Sequence, residues 1–382
     1  MDNKFILSFL GDFAPVNRIE TLSLSRGFEV FDSFRESLDN SAYVIANLEC
    51  PLTNCKDKIK KIGPNLKADP ETIELLKYLK INVVSLANNH ILDYNIRGLN
   101  DTLTLLDNAN IQYTGIASHS KEFNKSTILE KEGVKIALLN VCEKEFNFSR
   151  NHYPTINVLD LIDVYNKILE LKSISNYVFI VYHGGNEYYK LPSPNLQKRL
   201  HFFADAGADL IVCHHSHIVS GYERYNGTEI YYSLGNFIFD WSRKPDFWYL
   251  GGKLDVEITL KSIKTKLIPF IQNKKSPGIT FLNQNEIAKF NSYILDINQT
   301  ISDPILLRKE WEHYSKNTSF EYYNKIFSIN TFHRRLLNHR ILPNFFLTKN
   351  KKYQLYNILG CESHYETLLE DLTNIVENDR NL

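Results

Sequence analysis

Three histidines that could bind a metal follow a short apolar run in the middle of the chain. His214, His215 and His217 come just after residues 208–212, whose mostly apolar side chains predict a buried strand. On an extended backbone His215 and His217 would point to the same side, because side chains alternate with a period of two. Two imidazoles that converge from one strand end suit a transition metal. The alternative is that all three are surface histidines on a loop.

Other residues able to bind a metal follow further predicted strands along the chain. Asp12 comes after the apolar run 5–10, and Glu49 comes after the run 43–47. Each alone has an ordinary explanation, such as a helix cap or a hydrogen-bonded polar side chain, but five strand ends in all carry such residues. Open α/β sheets bind their ligands at these carboxyl ends. Mixed carboxylate, amide and imidazole groups suit one or two Mn, Fe or Zn ions, which a carboxylate could bridge. The candidate ligands are Asp12, Glu49, Asn89, His183, His215 and His217.

The segment 232–240 is predicted to pass close to the same site. Gly235 and Asn236 interrupt an aromatic, strand-like run at this point. A polar Gly-Asn pair within so apolar a run indicates backbone that approaches a site closely. We therefore place Asn236 among the residues expected to contact a substrate.

The elements that must position these residues alternate between strands and helices, which predicts an α/β fold. The Lys- and Pro-rich residues 50–70 are predicted to form an exposed loop. From about residue 285 the composition shifts to Asn, Lys, Tyr and Phe, with helix-like spacing of leucines. We predict one domain over residues 1–284 and a small helical appendage over 285–382. Within the domain, helices are predicted at 71–80, 96–107, 157–172 and 196–206, with further strands at 81–86, 112–115, 126–129, 134–141, 177–182, 253–260 and 264–271.

Composition excludes several classes of protein. The 382 residues carry a formal net charge of zero, so no global field draws the chain to nucleic acid or to an anionic membrane. The five cysteines are odd in number and scattered, which does not fit a disulfide framework. No run of 18 apolar residues predicts a membrane span, and no signal-peptide pattern is present. We expect a cytoplasmic protein.

The motifs together resemble the CapA (poly-γ-glutamate capsule synthesis) family, a branch of the calcineurin-like metallophosphoesterase superfamily. The resemblance spans about residues 5–245, and the combination is specific although each motif alone is weak. The residues that carry it are Gly11-Asp12, Asn47-Leu-Glu49, Asn88-Asn-His90 with Asp93, His183-Gly-Gly-Asn-Glu187, His214-His-Ser-His217 and Ser233-Leu-Gly-Asn-Phe-Ile-Phe-Asp240.

The resemblance implies a four-layer αββα sandwich with a metal site across the strand ends. It implies that the six candidate ligands bind the metal and that Glu49 bridges two ions. His90 would lie beside the substrate as a proton donor, with Asp93 orienting its ring. Glu187, in the His183 motif, and Arg18, which resembles an arginine of the family and could hold an anionic group bidentately, are expected at the substrate. For Arg18 an ordinary surface arginine is the alternative.

The chain departs from the family pattern at three places. Many relatives in the superfamily have Asp-x-His at the first motif, whereas this chain has Ala14 at the last position. That departure weakens the case for two fully liganded metals. The other two are Gly184, where the family commonly has Trp, and Cys213-His-His-Ser-His217, where it has Gly-His-His-Pro-His. Both leave the expected ligands intact.

Two functions from different classes remain open at this point. The first is a metal-dependent hydrolase of phosphate esters or other anionic groups, linked to capsule, exopolysaccharide or poly-γ-glutamate biosynthesis. The second is a non-hydrolytic assembly component that binds an anionic polymer or a synthase of the capsule machinery. The basic patch at His333-Arg-Arg335 and His339-Arg340 is interpreted as a solvated helix face, with contact to a membrane or polymer as the alternative.

Overall fold

The structure is a computed structural model that describes residues 4–117, 126–145, 155–272 and 274–380. It divides into two compact units, Met1–Asp303 and Pro304–Leu382. The boundary between the two units therefore follows Asp303, whereas the sequence analysis placed the start of the helical appendage after residue 284. The reason is that the helix that begins at Gln284 packs into the first unit, where Phe290 and Ile294 contact Val219.

The strands form the framework of the first unit, and nearly all predicted strands are present. The first extends beyond its predicted end at Leu10, so that Asp12 lies within a strand and not after one. The strands are β1 (Phe5–Ala14), β2 (Ser41–Leu48), β3 (Val83–Ser85), β4 (Gln112–Thr114), β5 (Ile116–Ala117), β6 (Thr127–Lys131), β7 (Val134–Cys142), β8 (Thr155–Ile156), β9 (Tyr177–His183), β10 (Leu210–His214), β11 (Tyr222–Tyr225), β12 (Thr228–Tyr231), β13 (Asn236–Phe239), β14 (Leu250–Ile258), β15 (Ile263–Gln272) and β16 (Ile279–Phe281).

Helices begin at side-chain caps in several cases. Asp160 accepts hydrogen bonds from the first backbone amides of one helix, and Asn283 with Glu286 forms a capping box on another. No helix among the described residues is both long and apolar enough to cross a membrane. The helices are α1 (Arg18–Ser25), α2 (Asp32–Glu36), α3 (Ile73–Tyr78), α4 (Asn95–Asn108), α5 (Leu161–Ile174), α6 (Pro194–Asp205), α7 (Gln284–Ser302), α8 (Pro304–Phe327), α9 (Thr331–Asn338), α10 (Lys349–Gly360) and α11 (Glu362–Arg380), with 3₁₀ turns at Phe28–Phe31, Pro70–Thr72 and Asp246–Tyr249.

Two sheets bring the predicted site residues to neighbouring strand ends. The first has the order β16-β15-β14-β1-β2-β3-β4, with β13 also paired to β1, and the second has the order β11-β12-β10-β9-β7-β6. Asp12 stands opposite Asn47 of β2 and Asn236 of β13, all in parallel register. In the second sheet His183 of β9 stands opposite His214 of β10, also in parallel register. The parallel strands therefore present these residues at the same end of each sheet.

The two sheets share an apolar core. Phe9 of β1 lies against Phe179 of β9 with ring centroids 6.3 Å apart, inside a buried cluster drawn from both sheets. A second cluster joins the first sheet to residues of α1 to α4, including Phe31 and Phe34 near α2. The fold is thus a mixed α/β arrangement of two sheets with helices.

The segment 50–70 corrects one expectation from the sequence. It was predicted to be an exposed loop, yet Leu52, Thr53, Cys55, Ile59 and Leu66 are buried. Its backbone is tied to the first sheet's loops, because the amide of Ile59 donates to the carbonyl of Asp93 at 3.0 Å. Lysine content did not indicate exposure here, since the apolar residues spaced between the lysines are buried.

Candidate metal centre

Asp12, Glu49 and His217 form a buried group that could hold a metal ion. One ligand atom from each lies within 4.8 Å of the others. Nδ1 of His217 is 3.3 Å from Oδ2 of Asp12, and Nε2 of His217 is 3.6 Å from Oε1 of Glu49. Both carboxylate oxygens of Glu49 are buried without a hydrogen-bond partner in the described structure. Because an unpartnered buried carboxylate is costly, this arrangement fits a bound cation.

Asn89, His183 and His215 form a second group beside the first. Nε2 of His183 lies 3.0 Å from Oδ1 of Asn89, and the rings of His183 and His215 have centroids 4.9 Å apart. Nδ1 of His215 is buried without a hydrogen-bond partner among the described residues. The backbone amide of His215 donates to Oδ2 of Asp12 at 3.3 Å, which joins the two groups. All six candidate ligands are therefore brought together.

Burial and charge set the protonation of these ligands in opposite directions. Burial alone would raise the pKa of Asp12, but hydrogen bonding and attraction from His214 and His217 hold that pKa well below its ordinary value. Burial raises the pKa of Glu49 well above its ordinary value, and repulsion from Asp12 adds to this. Burial also lowers the pKa of His183, which favours the neutral imidazole that a metal requires. A cation would relieve the repulsion between the two carboxylates.

The backbone that carries His215 and His217 differs from the extended strand assumed above. The strand β10 ends at His214, and His215 and His217 have φ values of 94° and 57°. These lie in the left-handed region, where side chains do not alternate as they do along a strand. Both rings still face the candidate site, but a turn directs them there, so the argument from period-two alternation was wrong.

His90 and its neighbour Asn89 point to different partners. Nδ1 of His90 lies 2.7 Å from Oδ2 of Asp93, whereas Asn89 turns to His183. Asn88 enforces this turn, because its Oδ1 accepts the backbone amides of His90 at 3.1 Å and of Ile91 at 2.9 Å. With Nδ1 used by Asp93, the nitrogen of His90 that remains for a reacting group is Nε2.

A buried lysine completes the His90 network and was missed by the sequence analysis. The side chain of Lys61 is only 1% exposed and donates to Oδ1 of Asp93, and its Nζ is 3.1 Å from Nδ1 of His90. The other oxygen of Asp93 accepts the backbone amide of Leu66 at 2.6 Å. Burial is the main cause that lowers the pKa of His90, the Lys61 charge adds to it, and Asp93 opposes it.

Asn236, which the sequence analysis placed at the substrate, bonds His217 in the structure. Its Oδ1 lies 3.0 Å from Nδ1 of His217, and its amide nitrogen donates to the carbonyl of Trp248 at 3.1 Å. The second bond fixes the amide so that its oxygen accepts the Nδ1 proton of His217. Nε2 of His217 then carries the lone pair that faces Glu49. Such support of a ligating histidine is common around metal sites.

Arg18 is bound by a partner that was not predicted. Its Nε donates to Oδ2 of Asp240 at 2.9 Å, and its Nη2 donates to Oδ1 at 2.5 Å. A further nitrogen, Nη1, donates to the carbonyl of Lys275 at 3.1 Å. Arg18 and Asp240 line a cavity of about 580 Å³ together with Asn65, Leu66 and Tyr94. Because Leu66 also bonds Asp93, this cavity adjoins the His90 network.

Aromatic rings and one lysine line another side of the centre. Trp248 lies 4.9 Å from His217 between ring centroids, and Nζ of Lys244 lies 4.3 Å from the centroid of Trp248. Lys244 also donates to the hydroxyl of Tyr188 at 2.8 Å. The exposed Glu187 is next to Tyr188 in sequence, and its charge contributes to the raised pKa of Glu49. These residues stand at the rim of the centre.

The sequence of this chain matches a known family of proteins. The family model described as "Bacterial capsule synthesis protein PGA_cap" matches residues 6–241. The chain belongs to this family of bacterial capsule synthesis proteins. It is 33% identical over 255 residues to the "PGA biosynthesis protein CapA" of Bacillus subtilis strain 168, with 64% of this chain and 66% of that protein covered. The resemblance to the CapA family is thereby confirmed.

Further similar proteins show how far the likeness extends. The "Capsule biosynthesis protein CapA" of Bacillus anthracis is 31% identical over 261 residues, which cover 64% of this chain and 62% of that protein. A crystal structure of a hypothetical protein from Thermus thermophilus has a TM-score of 0.44 and 15% identity, and it covers 69% of this chain and 99% of that one. The chain thus spans somewhat under two thirds of the lengths of the two Bacillus relatives.

At position 14, where many relatives in the superfamily have histidine, this chain has a buried alanine. The methyl side chain of Ala14 has no atom that could bind a metal, and this residue is fully buried and pairs with Phe239 of β13. The group of Asp12, Glu49 and His217 therefore offers three possible ligand side chains among the described residues. Catalytic metal sites commonly keep such an open position for water or substrate.

Two further residues near the ligands were quoted in motifs without a role. The amide nitrogen of Asn47 donates to Oδ1 of Asp12 at 2.8 Å and lies 3.3 Å from Nδ1 of His183, so it links the two groups. Nδ1 of His214 lies 3.3 Å from Oδ1 of Asp12. Their positions beside Glu49 and His215 in sequence were the available signal, but adjacency alone does not show direction.

Proposed function

We propose that this protein is a metal-dependent hydrolase of the metallophosphoesterase type that serves capsule or poly-γ-glutamate biosynthesis. The observation that carries the proposal is Glu49, a buried carboxylate without a hydrogen-bond partner in the described structure, between Asp12 and His217. We also infer that the two sheets and their helices form the four-layer αββα arrangement of that superfamily. Membership of the capsule synthesis family supports the biological setting.

The ligands divide into two sets that would each hold an ion. We assign Asp12, Glu49 and His217 to one set and Asn89, His183 and His215 to the other. Neutral imidazoles, an amide oxygen and carboxylates suit Mn, Fe or Zn. Such an ion, when bound, lowers the pKa of a coordinated water and polarises the bond that is cleaved.

His90 is the proposed proton donor to the leaving oxygen. Asp93 holds Nδ1 of its ring at 2.7 Å, so Nε2 remains for the substrate. Lys61 and the amide of Leu66 fix the Asp93 carboxylate, which leaves the ring little freedom to turn. General acid catalysis by a fixed group contributes roughly 10²- to 10⁴-fold in rate.

The rim residues are proposed to bind an anionic substrate. Lys244 supplies a positive charge beside Trp248 and His217, with no carboxylate in ion-pair contact in the described structure. Arg18 lines the adjoining cavity, where Asp240 holds its guanidinium, and we propose that its positive charge helps to attract an anionic group into that cavity. Glu187 would select against additional negative charge on that side. Phosphate esters and carboxylate-bearing polymers share the chemistry that Lys244 recognises.

A second function keeps a specific observation in its favour. The first metal group lacks a ligand at Ala14, and the relatives' names state capsule or PGA biosynthesis without naming a reaction. A non-hydrolytic component that binds an anionic polymer or a synthase would need the fold but not turnover. In that case polymer binding would survive removal of the metal.

The test combines metal analysis with a substrate screen on the full chain. Protein purified without chelator should carry about one to two Mn, Fe or Zn per chain, and Asp12→Ala and His215→Ala should each lower that content. Metal-loaded protein should hydrolyse aryl phosphates or anhydrides, and chelation should stop the reaction. The control variant is Lys131→Gln, because Lys131 is exposed and lies outside the centre, so that its replacement buries no charge.

Two results would count against the hydrolase. If the Asp12→Ala variant and the His215→Ala variant both kept a stoichiometric amount of metal, these residues would not form a metal centre. A loaded centre that cleaves no phosphoester, amide or anhydride with any of the three metals would favour the assembly function.

A further inference from the structure

The second compact unit concentrates positive charge in one stretch. From Glu321 to Glu362 the sequence contains seven lysines and arginines and no acidic residue between these two glutamates, although the whole chain has a net charge of zero. Three of the seven, Arg334, Arg335 and Arg340, lie within or directly after α9. The balance of charge in the chain therefore hides a local basic surface, because the acidic residues lie elsewhere.

The same stretch exposes large apolar side chains. Phe332 is 70% exposed, Ile341 is 64% exposed and Phe345 is 77% exposed, and Phe346 beside them is 51% exposed. Scattered single apolar residues are ordinary on protein surfaces, whereas several exposed ones within one short stretch indicate an interaction site. We call the set of Phe332, Ile341, Phe345 and Phe346 with Arg334, Arg335 and Arg340 the basic–aromatic surface.

The basic side chains of this surface are not neutralised within the described structure. No described carboxylate forms an ion pair with Arg334, Arg335 or Arg340, and Arg340 instead lies over the ring of Phe320 at 5.5 Å. A surface cavity of about 690 Å³ lies here, and it is large enough for an anionic headgroup. Its lining consists of Thr331, Phe332, Arg334, Arg335, Asn338 and His339.

We propose that the basic–aromatic surface binds the surface of an anionic lipid membrane. The arginines would contact lipid phosphates, one of them in the cavity, while the phenylalanines enter the boundary between headgroups and acyl chains. Basic residues with exposed aromatic and aliphatic side chains have this effect in interfacial segments that lie on a bilayer without spanning it. This agrees with the described helices, none of which could cross a membrane.

The apolar part of the surface decides between a membrane and a soluble polyanion. An extended hydrophilic polymer would pair with Arg334, Arg335 and Arg340 but would leave Phe345 at 77% exposure without an apolar partner. A bilayer satisfies both, because its interface offers phosphate groups and hydrocarbon within a few ångströms. The membrane therefore accounts for more of the surface. This inference stands apart from the proposed hydrolase and does not need an active metal centre.

The experiment measures binding of the full chain to lipid vesicles by co-sedimentation. Vesicles of phosphatidylglycerol and phosphatidylcholine should bind the protein, and vesicles of phosphatidylcholine alone should bind it far less. The triple variant Arg334→Gln, Arg335→Gln and Arg340→Gln should bind about 100-fold more weakly, since each basic residue near an anionic surface contributes about 1 kcal/mol. Binding should also weaken as salt rises.

Two matched variants separate charge from general surface effects and from polymer binding. Lys56→Gln, Lys58→Gln and Lys131→Gln remove the same charge from exposed positions of the first unit and should bind vesicles like the native chain. Phe345→Ser with Phe346→Ser keeps every charge and should also lose vesicle binding by at least about tenfold, because both rings would leave the hydrocarbon boundary. All these side chains are exposed except that of Arg334, which is half-buried, and circular dichroism should verify that the variants are folded.

Several outcomes would overturn the proposal. Equal binding to neutral and anionic vesicles would remove the role of the arginines. Binding of soluble polyglutamate that the Phe345 and Phe346 changes leave intact, with no vesicle binding, would identify a polymer surface instead. Vesicle binding unchanged in the triple arginine variant would place the contact elsewhere in the chain.

Discussion

Replacing Glu49 with glutamine should stabilise the metal-free protein while it abolishes metal binding. The native carboxylate is fully buried and unpartnered in the described structure, and its pKa is raised well above the ordinary value of 4.5, first by burial and then by repulsion from Asp12. An amide of almost the same shape removes the charge. It also removes the contribution of Glu49 to the ion site, so the two effects on stability have opposite signs with and without metal.

The size of the effect is bounded by the cost of protonating the carboxyl group. At about pH 7.5 an ordinary carboxyl with a pKa of 4.5 must take up a proton against roughly three pH units, which costs about 4 kcal/mol. The folded metal-free protein need not bear more than this, because protonation is always available to it. We expect Glu49→Gln to recover about 3 kcal/mol, which corresponds to roughly 6–12 °C in Tm for a unit of this size.

The pH dependence of the unfolding free energy provides a second, independent test of the buried Glu49 carboxyl group. Because the folded pKa of Glu49 lies above the unfolded one, the folded metal-free state holds an extra proton between the two values. The free energy of unfolding should therefore rise as pH falls through the interval between the folded and the unfolded pKa of Glu49, by at most about 1.4 kcal/mol per pH unit from this group. Glu49→Gln should lack that part of the slope. Asp12 acts in the opposite sense, since its lowered pKa stabilises the fold above the unfolded value and loses that contribution in strong acid.

Thermal denaturation of chelator-treated protein, with and without added Mn²⁺, measures both effects. Glu223→Gln is the matched control, because Glu223 accepts bonds from His201 at 2.8 Å, from Gln197 at 3.2 Å and from Tyr232. Its loss should destabilise the protein whether or not metal is present. A Glu49→Gln variant that melts below the native metal-free protein, or that Mn²⁺ still stabilises fully, would refute the interpretation of Glu49 as an ion ligand.

Three further predictions follow from the same contacts. His90→Ala should keep full metal content but lose roughly 10²- to 10⁴-fold in turnover, least for aryl phosphates that leave without protonation; loss of metal instead would make His90 a ligand. Lys61→Met should lower the free energy of unfolding by about 3–5 kcal/mol, because it leaves the buried carboxylate of Asp93 without its counter-charge. An unchanged denaturation midpoint would contradict the stabilising role of the buried Lys61–Asp93 ion pair. A chain that ends at Asp303 should keep its metal and its Tm. A chain that ends at residue 284 should have a lower Tm, because it loses the burial of Phe290, worth about 1.5–3 kcal/mol, and that of other α7 side chains. Equal Tm values for the two chains would show that α7 is dispensable.

The clustering of the candidate ligands could be predicted from the sequence because strand ends have a simple signature. Asp12, Glu49 and His183 each come at or near the end of a short apolar run, and parallel strands bring such ends together. His215 and His217 do lie beside the other candidate ligands, but the extended backbone from which this was predicted is absent. A left-handed turn, which no apolar pattern marks, directs their rings.

The supporting residues could not be predicted because their roles depend on distant contacts. Lys61 lies in a lysine-rich segment that looks solvated, and its burial depends on Asp93, which is 32 residues away. Asn236 was expected at the substrate, yet its partner is His217, and only the pairing of β13 with β1 brings it there. Local sequence indicates which residues are polar and where strands end. It does not indicate which polar groups will meet across the core.

The burial of the ligands also has a consequence for how quickly an ion could leave. Asp12, Glu49 and His183 are at most 2% exposed, and the segment that follows Glu49 is anchored on Asp93 by the amides of Ile59 and Leu66. An ion held there would leave only after these buried groups rearrange or take up protons, so its residence time would depend on local opening as well as on the strength of the ligands. Metal acquired during folding would then be lost slowly after the free metal around the protein has changed.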